Sequence, residues 1–294
     1  MPSNHIISLS PLNIKIFNGG DQHDGFSVNS TIVYGQKNAV VIDTQFTLAN
    51  AHRLVAEILE TGCQLQTIYI THFHPDHFLG TAVLHRAFPD AQIISLKGCG
   101  EFVNDAYDFK INYWGTEVLG SNGPKEKVAV ELIEEPLIML EGQRLEILGP
   151  LRGDSDGQSA LWIPCIKTLV AADTVFNQAH VWIADDKTPE LRQDWLDVLD
   201  RLEALNPEIV VPGHAPDAGR VSPDAIDFTR QYIKTFETVA RAAHSGDELF
   251  SAMQQRYPGL ATDICLHYSS KILKDKYVWP GEWPQALREL ETVL

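Results

Sequence analysis

At 294 residues, with 44% apolar and 21% charged, the chain can bury a sizeable core as one large domain or as one domain with a small appendage. The formal net charge of -16 leaves no basic stripe to displace counterions from a phosphate backbone, which argues against nucleic acid and anionic membrane surfaces as partners. A small-molecule substrate stays open, acidic ones included, and so does a homodimer. Cys63, Cys99, Cys165 and Cys265 are widely separated with no CxxC pair, so they read as reduced core residues rather than a disulfide framework. The opening MPSNHIISLSPLNIKIF has no basic segment followed by an apolar run and a cleavage site, and no run elsewhere reaches membrane-spanning length. The expected location is cytoplasmic.

Two short apolar runs, NSTIVYG and NAVVIDT, separated by polar turn residues, predict a hairpin ending at Asp43. AHRLVAEILETG follows as a helix, with Leu54, Val55, Ile58 and Leu59 on one face and Gly62 as its stop. TIYIT predicts a buried strand that delivers the chain into THFHPDHFLG; GTAVLHRAFP then predicts a helix and AQIISL another strand. This alternation indicates a layered α/β region with functional residues at strand ends. Residues 98–132 show weaker periodicity and gather Phe102, Tyr107, Phe109, Tyr113 and Trp114, the signature of either a lid or pocket wall or a plain surface insertion. ALWIP and TLVAADT predict a second strand pair, hence a second sheet. LRQDWLDVLDRLEALNP aligns Leu191, Trp195, Val198, Leu199, Leu202 and Leu205 along one stripe, a helix docked on a sheet, and EIVVPGH follows as strand and turn. From Ser222 the pattern is mostly helical, ending in YVWPGEWPQALREL as a turn and short helix. The expected organisation is one domain over 1–221 with a helical extension over 222–294 packed on it.

THFHPDHFLG sets three histidines and an aspartate within six residues. His72 and His74, two apart just beyond a strand, can point the same way if the backbone stays extended; Asp76 and His77 can face a neighbouring point after Pro75 turns the chain. Borderline ions such as zinc accept imidazole and carboxylate together, and a hydrolytic ion needs one position left for water. By itself the cluster keeps a lesser alternative, a fortuitous polar loop. Three further residues share its context, at the end of an apolar strand or beside glycine: Asp154 in GDSDGQS, Asp173 ending TLVAADT, and His214 ending EIVVPGH.

In these motifs the chain resembles the metallo-beta-lactamase superfamily of hydrolases, from about the hairpin at Asn29 to Asp217. The HxHxDH pattern is His72, His74, Asp76 and His77; the strand-terminal aspartate that often bridges two ions in the family corresponds to Asp173, and the late GH to Gly213 and His214. Asp43 matches an early aspartate that orders the histidine loop. The resemblance implies a four-layer αββα sandwich with a helical C-terminal extension. It also implies a site for two ions, zinc first and manganese or iron as alternatives, at which an activated water attacks a carbonyl or phosphoryl centre. Asp173 would bridge or support both ions, and Asp76 would bind one and orient the attacking water.

One element departs from the pattern. The family carries a histidine in a GHT-like segment eight residues before the aromatic of the following strand, and counting back from Trp162 gives Asp154. Three readings stand for it: a ligand of the first ion with His72 and His74, a substitution that leaves that ion weakly bound, or a solvated loop residue in a protein whose chemistry is lost or changed. The binding-protein alternative on the same fold rests on this substitution. Oxygen-rich donors favour manganese or iron relative to an all-histidine set.

Members that hydrolyse beta-lactams usually carry cysteine or serine where Asp173 stands, which counts against antibiotic hydrolysis here. Glyoxalase II-type thioesterases share the aspartate, but their basic and tyrosine substrate residues find no match. Lactonases acting on acyl-homoserine lactones place a tyrosine three residues later, at the position of Phe176. An ester, lactone, thioester or related acyl bond of a small molecule is the expected target. His180 and Trp182 read as loop packing before pocket lining, and His267 and Tyr268 as ordinary helical packing. His5, His23 and His52 have no ligand-like spacing.

Overall fold

The computed structural model describes residues 11–21 and 26–280. Two sheets lie face to face. The first has the order β1 (Asn13–Asn18), β2 (Asn29–Tyr34), β3 (Asn38–Ile42), β4 (Gln64–Tyr69), β5 (Gln92–Leu96) and β6 (Glu131–Ile133). The second runs β11 (Ile209–His214), β10 (Thr168–Phe176), β9 (Gln158–Ile163), β8 (Gln143–Leu151) and β7 (Leu137–Leu140). The hairpin expected before Asp43 is β2–β3, and β1, which the alternation did not reveal, pairs antiparallel with β2. β3 to β6 are mutually parallel, so helices must return the chain between them. These are α1 (Leu48–Glu60), α3 (Thr81–Ala87) and α4 (Gly100–Lys110).

The strands look continuously apolar because both of their faces are buried. Ile32, Val41 and Ile68 face outward onto α1, α3 and α4, whereas Val33, Val40, Ile42 and Tyr69 face the other sheet. In the second sheet Val170 and Val211 point to that shared interior, while Leu169, Ala171 and Val210 meet α5 (Pro189–Glu203) and α6 (Asp224–Ala242) on the outer face. Three apolar layers thus hold four layers of secondary structure, the αββα sandwich that the motifs implied. α7 (Gly246–Arg256) and α8 (Asp263–Asp275) complete the described C-terminal helices. No helix among the described residues is long and apolar enough to cross a membrane.

Several local expectations need correction. In α1 the face turned inward is Asn50, Ala51, Leu54 and Ile58, while Leu59 is 62% exposed, because the helix sits about one position round from the stripe drawn on the sequence. Residues 98–132 are largely helical as far as Asn122 and have no regular secondary structure over 123–130. α4 continues into a wider-coiled turn over Ile111–Val118, and the mismatch with a 3.6-residue period explains the weak pattern. The short helix read in YVWPGEWPQALREL falls on 281–294, and His5 and His23 also lie outside the described residues. Cys63, Cys99, Cys165 and Cys265 are free thiols.

Candidate metal centre

Five chain segments meet at one edge of the sandwich. The loop after β3 brings Asp43, the loop after β4 brings His72 and His74, and the one-turn helix α2 (Pro75–Phe78) displays Asp76 and His77. Asp154 lies between β8 and β9, Asp173 within β10, and His214 at the end of β11. Pro75 opens α2 where its missing N–H costs nothing, directly after extended His74. Gly80 lets the turn beneath α2 pack closely: a Cβ there would lie 2.0 Å from the Thr44 carbonyl oxygen.

β10 reaches the site through a bulge. Its register with β11 shifts on both sides of Ala172, which adopts a φ of 45°, and the kink aims Asp173 into the cluster. Asp43, at φ 63°, is likewise held in the left-handed region beside the functional loop.

All seven sequence-predicted ligands come together. Donor atoms of His72, His74, Asp154 and Asp173 lie within 4.8 Å of one another, and so do those of Asp76, His77 and His214. Asp173 touches both groups. Its Oδ2 is 3.5 Å from His72 Nε2 and 3.2 Å from His214 Nε2, and its Oδ1 is 3.2 Å from His77 Nε2. Asp76 Oδ2 lies 3.3 Å from His214 Nε2 and 3.6 Å from His77 Nε2.

Each imidazole is oriented through its remote nitrogen, which fixes which atom faces the centre. His77 donates from Nδ1 to Asp43 Oδ2 at 2.6 Å, and His214 from Nδ1 to the Phe26 carbonyl at 2.7 Å. The Thr71 hydroxyl donates to Asp43, so at 2.9 Å it can only accept from His72 Nδ1. His74 is turned the other way round: Nδ1 faces Asp154 Oδ2 at 3.1 Å while Nε2 donates to Asp185 Oδ2 at 3.2 Å. The inward atoms His72 Nε2, His77 Nε2 and Asp173 Oδ1 are buried with no hydrogen-bond partner among the described residues. Buried polar atoms are normally paired. Converging lone pairs of imidazole and carboxylate, with each imidazole held by an acceptor on its far side, fit one or two borderline divalent cations.

Asp154 is buried. Its backbone N–H donates to the Asp173 carbonyl at 3.2 Å, and its carboxylate accepts from the Gln158 amide. This removes the solvated-loop reading: a shared backbone hydrogen bond draws the shorter side chain up to the His74 donor.

The site carries strong internal fields. Burial, with His77 beside it, pulls the His72 imidazole down to about 3. Burial acts against protonating His214 as well, but Asp173 and Asp76 outweigh it and raise that group to about 9. The same contest raises His77, through Asp173 and Asp43, and His74, through Asp154. Burial pushes Asp173 up, yet His214 and His77 hold it well below the usual carboxylate range. In the metal-free protein a cation must therefore displace the His214 proton. Apparent zinc affinity is expected to rise with pH up to at least about 9, as measured by competition with a chelating dye. The metal-free fold has the opposite dependence. A raised folded-state value contributes stability that is complete below 6.5 and is lost as pH passes 9.

The glycine before His214 is a packing requirement, since a Cβ on Gly213 would lie 1.8 Å from Asp173 Oδ1. Gly213→Ala is expected to displace that carboxylate, to destabilise the fold by about 1–3 kcal/mol and to lower metal retention. Thermal melts with and without zinc check this, and an unchanged zinc-induced shift would show that Asp173 is not held by this contact.

Sequence reasoning missed Asp185, Gln158, Thr71 and Lys110. Asp185 reaches His74 from a distance in sequence that no local motif encodes, Gln158 reaches Asp154 from four residues along the chain, and the Phe26 contact is made by backbone, which leaves no side-chain signal. Trp182 and Tyr268 were assigned to packing, but both line the pocket above the centre, along with Trp114 and Lys110 from the segment after β5. His180 does pack the loop, with Nδ1 2.8 Å from the Tyr232 hydroxyl.

A paired metal-ligand cradle at the edge of an αββα sandwich defines the class: a metal-dependent hydrolase. Residues 23–214 match the family profile described as metallo-beta-lactamase superfamily, and the chain belongs to that superfamily. Among solved structures it is similar to a metallo-beta-lactamase family protein from Thermus thermophilus (17% identity, TM-score 0.61, 93% of this chain and 97% of that one). It is also similar to a beta-lactamase domain protein from Burkholderia ambifaria (15% identity, TM-score 0.63, 88% and 83%). A third is a metallo-beta-lactamase from Pontibacter korlensis (18% identity, TM-score 0.57, 77% and 96%). At these identities the likeness concerns the fold. No curated protein matches the sequence.

Proposed function

We propose that the protein hydrolyses an ester, lactone or thioester bond of a small molecule at a site for two divalent ions, zinc in the first instance and manganese or iron as alternatives. His72, His74 and Asp154 would hold one ion, Asp76, His77 and His214 the other, and Asp173 would serve both. The observation that carries this reading is the position of Asp173 within 3.5 Å of donor atoms from both groups. Bound ions of this kind supply Lewis acidity and lower the pKa of water toward neutrality.

The side chains divide the remaining work. Asp76 lines the pocket and faces His214 and His77, so its carboxylate can orient a water at the pocket floor and accept its proton. Asp43 keeps the His77 proton on Nδ1, and Phe26 does the same for His214. The apolar walls thin the solvent above the floor, which strengthens every electrostatic interaction there. Cys265 and Tyr268 from α8 line the same pocket, which supports treating the described C-terminal helices as part of one catalytic unit. Metallo-beta-lactamases occur among the similar structures, but aspartate at 173 sets this chain apart from the cysteine or serine usual in such enzymes, and we place its substrate among simple acyl compounds.

The test is elemental mass spectrometry on protein purified without chelator, paired with hydrolysis of ester, lactone and thioester panels before and after chelation. Close to two ions per chain, with activity lost on chelation and restored by a defined metal, is the expected result. Stable metal content with no turnover in any panel would replace the enzyme reading with a binding protein.

A further inference from the structure

The polar residues of the pocket gather at its floor, where His74, Asp76, Asp154, Asp173, Asp185 and His214 converge. The walls of this cleft, about 600 Å3 with its open mouth included, are aromatic: Phe26, Phe73, Trp114, Trp182, Tyr268 and Trp279. These rings meet mainly edge-on or tilted. Trp182 and Trp279 are 5.1 Å apart at 64°, Trp114 and Trp279 5.6 Å at 59°, and Trp182 and Tyr268 6.4 Å at 61°. In an edge-on contact one ring gives its face to the other's edge, and the ammonium of Lys110, which also lines the cleft, lies 5.5 Å from the Phe73 ring centre and 5.9 Å from that of Trp279.

Two features go beyond packing. Trp114 is buried, yet its indole N–H has no acceptor among the described residues, although buried indole donors usually find one. Trp182 is tied to the metal centre: its Nε1 donates to Asp185 Oδ2 at 2.9 Å, and the same oxygen is 3.2 Å from His74 Nε2. One carboxylate therefore sets both the pocket wall and a ligand imidazole.

On the reading that the site is hydrolytic, we infer that its substrate carries a planar aromatic group, received against Trp182 in the aromatic wall while the scissile bond rests on the polar floor. The flat group matches a cleft lined by Trp114, Trp182, Tyr268 and Trp279. Trp182 is thus a specificity-determining residue, and Asp185 is a positioning residue that acts through it and through His74.

Binding is read by quenching of tryptophan fluorescence with naphthylacetamide, which has no readily hydrolysed bond, and with cyclohexylacetamide as the non-planar control, on zinc-loaded and chelated full-length protein. Saturable quenching by the naphthyl probe is expected, with the cyclohexyl probe about tenfold weaker. Trp182→Leu, which keeps apolar bulk without a large flat ring, should weaken naphthyl binding roughly 5- to 10-fold, and Trp182→Phe should recover most of it. In parallel, the ratio of kcat/KM for naphthylacetyl over acetyl methyl thioesters should fall by a similar factor in Trp182→Leu; the ratio cancels intrinsic reactivity. Absent quenching, equal affinity for the two probes, or a Kd unmoved in Trp182→Leu would overturn the inference, and hydrolysis of the acetyl thioester would still stand. Selective naphthyl binding with neither thioester cleaved would keep the aromatic pocket and remove the hydrolase.

Discussion

Asp173→Ala is expected to abolish most metal-dependent hydrolysis, lowering kcat/KM on the order of a thousandfold, equivalent to about 4 kcal/mol. The Asp173 carboxylate approaches donors of both groups: His214 Nε2 and His77 Nε2 lie 3.2 Å from its two oxygens and His72 Nε2 lies 3.5 Å away. Removing it also leaves buried imidazoles without the carboxylate that offsets their charge, and breaking a buried pair in this way costs about 3–5 kcal/mol of stability. The metal-free variant should therefore melt earlier, and zinc should recover less of the loss than in the parent. Asp173→Asn keeps the shape and removes the charge, so it should retain the fold better than it retains metal. Elemental analysis and steady-state kinetics decide the matter; unchanged metal content and rates in Asp173→Ala would remove the bridging role.

Asp154→His has the second largest expected effect, in metal preference rather than in rate alone. The carboxylate at 154 stands 3.1 Å from His74 Nδ1 and accepts from Gln158, with its backbone pinned to the Asp173 carbonyl. An imidazole is longer and neutral. It must lose the Gln158 contact, and it changes the first donor set from two carboxylates to one. Oxygen donors favour manganese and iron relative to nitrogen donors, so retention of zinc over manganese in a competition dialysis should increase by about tenfold. Asp154→Ala should instead weaken the first ion without a change of preference. Equal metal preference and equal kinetics in both variants would make Asp154 a bystander despite its burial.

The elements that were legible share a reason. The strands before Asp43, His72, Asp173 and His214 are buried on both faces and so read as unbroken apolar runs, and the histidine cluster is a local spacing. α5 was legible because its Trp195, Val198, Leu199 and Leu202 all turn inward. Where burial depends on a neighbour, the pattern misled. Leu59 lies on the apolar stripe of α1 but projects past the sheet, and the helical segment after β5 changes its winding at Ile111, which hides its period. Trp182 and Tyr268 look like packing residues because an aromatic lining a pocket and one filling a core have the same chemistry and the same helical or loop context.

The sequence by itself determined the layered α/β class, the seven candidate donor residues and the aspartate at 154, because donor chemistry and strand-end context are written locally. Only the tertiary structure decided that these donors fall into two groups sharing Asp173, and that Asp154 is drawn into contact rather than left in solvent. It also decided that Asp185 joins His74 to an aromatic wall. Those facts depend on a bulge at Ala172, on the space left by Gly213 and on contacts between residues more than a hundred positions apart, and packing in three dimensions sets all of them.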